Sequence, residues 1–168
     1  MKTLVIHPKD PTTDFLSEIY SDKDWSVITQ NISKKSLKEN IKSHDRIVML
    51  GHGTEKGLLG FNHFIIDSNL IYLLKEKICV SIWCNADVFV KKYQLKGFYT
   101  GMIISDYDEA YTFGVNANYE ALQESNKDFA FAIKESIDSD NMLDKATSLY
   151  EGNSQLILFN RNNLYYKH

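Results

Sequence analysis

Two stretches, Ile47-Val48-Met49-Leu50-Gly51-His52-Gly53 and Ile78-Cys79-Val80-Ser81-Ile82-Trp83-Cys84-Asn85, decide how this chain is read. Each opens on a continuous apolar run of strand length. Neither run alternates with polar residues, as a strand with one wet face would. Unbroken runs of this kind belong to parallel strands covered on both faces. Each run then stops at a reactive side chain, His52 in one case and Cys84 in the other.

The pattern on either side agrees. Lys2 to His7 reads as a strand ended by Pro8. Asp10-Pro11 reads as a helix cap followed by proline at the first helical position, with the helix running to about Tyr20. Trp25 to Thr29 is a second short strand. Ser33 to Ser43 is helical, with Leu37 and Ile41 on one face. Leu58 to Phe64 suits a small hairpin punctuated by Gly57 and Gly60. Asp67 or Ser68 caps a helix over Leu70 to Lys75. Phe98 to Ser105 reads as another strand, followed by helices over Asn116 to Ile137 and Met142 to Tyr150. Gln155 to Phe159 is expected to be a last strand.

Alternating strands and helices favour parallel strands joined by right-handed crossovers. The expected fold class is therefore α/β. It is a three-layer sandwich with a mainly parallel central sheet and helices on both faces. No Gly/Ser/Pro-rich linker or repeat divides residues 1–168, so one domain is expected.

Composition narrows the function. The chain has 168 residues, 43% of them hydrophobic, which is enough for a packed core. Formal net charge is −3 and the basic residues are scattered, which gives no footprint for a nucleic-acid backbone. No run reaches the ~20 apolar residues of a membrane span. Met1 to His7 lacks the length and cleavage site of a signal peptide. Cys79 and Cys84 point to opposite faces if one extended strand carries both, so a disulfide between them is not expected. Free thiols without an export signal suggest the cytoplasm. GxGxxG, GxxxxGK[ST] and GxSxG are all absent, which argues against the commonest dinucleotide, nucleotide and serine-hydrolase readings. No histidine has a partner at metal-ligand spacing, so neither a metal nor another cofactor is expected.

In open parallel sheets ligands gather at the carboxyl ends of the strands. His52 and Cys84 both fall there, 32 residues apart in sequence. If their strands are neighbours, an imidazole meets a thiol, and the pair can act as base and nucleophile. The glycines beside His52 permit close approach of a substrate chain. Backbone N–H groups of Gly53 and Cys84 are candidates for stabilising an oxyanion. The plainer readings are a turn histidine for His52 and a small buried hydrophobe for Cys84. Cys79, inside the apolar run, reads as core.

An apolar strand, His-Gly, a spacer, a second apolar strand and then Cys is a pattern that resembles the caspase-like cysteine peptidases. That group includes caspases, clostripain, gingipains, separases and the bacterial CHAT domains. The likeness is greatest to the CHAT type, through Leu50-Gly51-His52-Gly53 and Trp83-Cys84-Asn85-Ala86, and it spans about Asp45 to Asp106. Trp83 stands where a small residue is usual, and Asp87 where a small or polar one is. The resemblance implies a caspase-like fold, His52 as the catalytic histidine, Cys84 as the nucleophile and a peptide or protein as substrate. In some relatives an acidic residue binds arginine or lysine. Asp106, after the strand that ends at Ser105, is the candidate for that role, while Asp108 and Glu109 read as helix-capping or solvated charge. The alternative is an inactive caspase-like domain that serves as a binding or assembly module. The sequence leaves the oligomeric state open.

Overall fold

A computed structural model describes residues Met1–His168. β1 (Thr3–Ile6) is wholly buried. A 3-10 helix over Pro11–Tyr20 follows, capped by Asp10, whose carboxylate accepts from the Thr12 N–H at 2.9 Å. β2 (Ser26–Ile28) leads to α1 (Lys34–Lys42), which Ser33 caps and which buries Leu37 and Ile41 as its spacing predicts. Burying such a side chain contributes roughly 1.5–3 kcal/mol. β3 (Arg46–Leu50) is buried at every position. β4 (Gly53–Thr54), β5 (Gly57–Gly60) and β6 (His63–Ile66) then form a small antiparallel sheet.

Asp67 caps a short 3-10 turn that continues into α2 (Ile71–Leu74). Next come β7 (Ile78–Ile82), α3 (Ala86–Tyr93) and β8 (Lys96–Thr100). The remainder is α4 (Tyr107–Thr112), α5 (Tyr119–Ser136), α6 (Met142–Leu149), α7 (Gln155–Arg161) and β9 (Leu164–Lys167).

The main sheet has the order β2-β1-β3-β7-β8-β9. All pairs are parallel except β8 with the edge strand β9. Side chains alternate between two apolar clusters, one on each face. Leu4, Ile6, Ile47, Met49 and Cys79 pack with α1, α2, α3 and the small sheet. Val5, Val48, Leu50, Val80 and Ile82 pack with the first 3-10 helix, α5 and α6. The protein is thus α/β, with helices on both faces of a mixed, mainly parallel six-stranded sheet.

Three elements differ from the sequence reading. Gln155–Phe159 is not a strand but the start of α7. The Ser154 side chain accepts from the Ile157 N–H, and Leu156, Ile157 and Asn160 share the buried face. The last strand is β9 instead. The strand expected to reach Ser105 stops at Thr100. Beyond it Gly101 N–H donates to Asn163 O, and the Asn160 side-chain amide satisfies both backbone groups of Ile104, at 2.7 and 2.9 Å. A side chain of α7 thus replaces a neighbouring strand. α3, not anticipated, begins directly after Asn85, which adopts a left-handed conformation with φ of 65°.

Gly97 in β8 has φ of +115°, and a Cβ there would lie 2.0 Å from the Cys79 carbonyl oxygen. Gly97→Ala is expected to destabilise the fold by about 2 kcal/mol or more, through strain and displaced β7–β8 pairing. Chemical denaturation of the variant against wild type measures this, and an unchanged midpoint would contradict it.

Candidate active site

β3 and β7 pair in parallel with Leu50 opposite Ile82. Gly51 N–H extends that pairing to Ile82 O at 3.1 Å. Two residues beyond Leu50 stands His52, and two beyond Ile82 stands Cys84. The common register brings both to one edge of the sheet, where they line one crevice of about 30 Å³ together with Thr13, Ile103 and Glu109.

Cys84 occupies the tight turn between β7 and α3. Asn85 N–H donates to Gly101 O, which ties the turn to the segment after β8, and Ala86 N–H donates to Trp83 O, which closes the turn on itself. The Cys84 thiol is only partly exposed. It donates toward Glu109 Oε2 at 3.6 Å and Ile103 O at 3.7 Å, and makes no hydrogen bond to His52. Burial pushes the thiol up to about 12, and the negative charge of Glu109 acts in the same direction. Glu109 is itself held by Ser105, whose N–H and hydroxyl donate to Oε1 at 3.0 and 2.8 Å.

His52 is exposed and faces the start of the first 3-10 helix. Its Nε2 lies 2.6 Å from Thr12 Oγ1, and the Thr12 hydroxyl is 2.6 Å from Asp10 Oδ1. On its other side His52 borders a wider hollow of about 430 Å³, lined by Pro8, Asp10, Leu59, Phe61 and His63 among others. The histidine therefore stands between the narrow crevice at Cys84 and an open depression beside the small sheet.

Gly53 does not line the crevice. It pairs with Leu58 in the small sheet and lies against the Trp83 ring, where a Cβ would meet Trp83 Cδ1 at 2.1 Å. Of the two backbone groups expected to hold an oxyanion, only that of Cys84 is at the crevice. Trp83 itself is buried, and its Nε1–H donates to Thr54 O at 2.9 Å. The large residue before the cysteine thus seals the small sheet onto the main one.

The expectation for Asp106 is also corrected. Its carboxylate caps α4, accepting from the Glu109 N–H at 2.9 Å, and the residue is exposed. β8 ends five residues earlier than expected, so alternation along a strand does not govern where Asp106 points. Glu109, one turn into α4, reaches Cys84 instead. The signal for it was the short run Ser105-Asp106-Tyr107-Asp108-Glu109. In a capping box the acidic residue three positions after the cap turns back toward the helix start. Here Glu109 turns back to the N–H and hydroxyl of Ser105, the residue before the cap.

Three other histidines are occupied locally. His7 is buried between Tyr20 and Thr13, His44 bonds Asn40 O and Ser26, and His63 bonds Phe61 O. Cys79 is buried in the core as expected, and both cysteines are free thiols. No helix is long and apolar enough to cross a membrane.

In comparisons with known proteins, no family, no curated protein and no solved structure matches the chain.

A thiol pushed up to about 12 is protonated at neutral pH, and the thiolate is the reactive form. Alkylation of native Cys84 by iodoacetamide is therefore expected to be slower than that of a free thiol. It should rise about tenfold per pH unit without levelling off below about pH 9. Peptide mass spectrometry against time checks this, and a plateau near neutral pH would show an already activated thiolate.

Proposed function

We propose that the chain is a caspase-like cysteine hydrolase acting on peptide or protein substrates, with a resting state in which burial, reinforced by the charge of Glu109, keeps the nucleophile protonated. One observation carries the reading. His52 and Cys84 end adjacent central strands in matching register and line the same crevice. In the reaction Cys84 Sγ attacks the carbonyl carbon while its proton passes to His52. His52 returns that proton to the leaving amine as the C–N bond breaks, and water then hydrolyses the thioester. The Cys84 N–H is the proposed donor to the developing oxyanion. Free thiols support a reducing compartment such as the cytoplasm.

The preference for basic side chains rests on Glu109 rather than Asp106. A guanidinium or ammonium group beside Glu109 would seat the substrate and offset the negative charge facing the thiol. The crevice must widen to admit it, since its present volume is about 30 Å³.

A second reading is favoured by that same small volume and by the protonated thiol. The domain would then be an inactive binding or assembly module, with His52 and Cys84 unused.

Labelling with an electrophilic peptide probe separates the two. Glu109→Gln keeps an acceptor for Ser105 but removes the charge, so the Cys84 pKa falls and labelling at neutral pH should rise about tenfold or more. His52→Ala should slow labelling, and Cys84→Ala should abolish it. Rates indifferent to both Glu109→Gln and His52→Ala would leave the binding-module reading standing.

A further inference from the structure

The contact between His52 and the start of the first 3-10 helix has a chemistry of its own. Three atoms lie in a row: Asp10 Oδ1, Thr12 Oγ1 and His52 Nε2, with 2.6 Å between each adjacent pair. Both separations are short enough to require a proton in each. Asp10 is held below the usual carboxylate range by the Thr12 hydroxyl and N–H, so at neutral pH it only accepts. The Thr12 hydroxyl has one proton to give. If it gave that proton to His52, the Asp10 and Thr12 oxygens would face each other at 2.6 Å with none between them. Only one arrangement fills both contacts: Thr12 donates to Asp10, and His52 Nε2–H donates to Thr12.

We propose that Thr12, backed by Asp10, is a positioning residue that holds His52 as the Nε2–H tautomer and leaves Nδ1 as the nitrogen that serves Cys84. This inference rests on the hydrolase reading above. A neutral imidazole carries one proton, so fixing it on Nε2 leaves Nδ1 bare and basic. When Nδ1 takes the thiol proton, the resulting imidazolium still donates to Thr12 and faces the Asp10 charge through it. The geometry costs the fold little, because it reuses the helix start. Asp10 Oδ1 is already placed by accepting from Thr12 N–H, and Pro11 sits between the two at the first helical position. The two anchors come from different segments, so the contact also joins the loop after β1 to the loop after β3.

The test pairs a spectroscopic readout with a rate. Isotope-labelled imidazole NMR, with the His52 signals identified by their loss in His52→Ala, reports which nitrogen carries the proton. Wild type should show predominantly Nε2–H for neutral His52. Thr12→Val, nearly the same shape without the hydroxyl, should lose that preference and slow probe labelling of Cys84 about tenfold. Thr12→Ser should restore both. Suppose His52→Ala slows labelling while Thr12→Val changes neither tautomer nor rate. The positioning role is then overturned and the hydrolase reading stands. Should His52→Ala leave labelling unchanged, the hydrolase reading fails and the positioning role falls with it. A predominant Nδ1–H tautomer in wild type would overturn the inference directly.

Discussion

The parallel pairing of β3 with β7 is the constraint on which the rest depends. β3 is buried at all five positions, and β7 at all but its first. A slip of one residue would turn each apolar side chain to the opposite face. Arg46 fixes the other end of β3. Its guanidinium is buried, donates to Ile137 O, Thr3 Oγ1 and Asp138 Oδ1, and lies 4.8 Å from the Trp25 ring centre. Losing Asp138 would strand a buried charge and losing either neutral acceptor would leave a buried donor unpaired, so this end of β3 is held by polar bonds as well as by apolar packing. That register alone places His52 and Cys84 at one edge.

What surrounds the two residues is set by contacts distant in sequence. On one side Trp83 and Gly53 fit together, tying the small antiparallel sheet to β7 and carrying the backbone past His52. On the other, Asn160 of α7 holds Ile104, and the Asn126 side chain of α5 donates to Ser105 O at 2.9 Å. These bonds keep residues 101–106 off the sheet and aim Glu109 at the thiol. Apolar side chains, Ile103 and Phe129 among them, line the narrow crevice.

Cys84 and His52 sit in different surroundings. The thiol loses water and gains a carboxylate neighbour, and both effects disfavour the thiolate. His52 stays exposed and is linked through the Thr12 hydroxyl to the Asp10 carboxylate. A thiolate–imidazolium pair is therefore opposed on the cysteine side. Burial is the larger of the two effects on the thiol, and the charge of Glu109 adds to it.

The alternation of strands and helices, the capped start at Asp10-Pro11, the amphipathic α1 and the paired strand ends were legible in the sequence because each rests on local patterning. His52 and Cys84 stood out for the same reason, as polar breaks after apolar runs. Gln155–Phe159 was not legible, since a short apolar run suits strand and buried helix alike. Only its Ser154 cap and the burial of Asn160 decided for helix. Phe98–Ser105 misled because apolar residues continue past Thr100, while a side-chain amide more than fifty residues away satisfies their backbone. Glu109, Thr12 and Asp10 became parts of the site only through tertiary structure. Their residue types are common at helix starts, and what distinguishes them is a neighbour brought close by the fold.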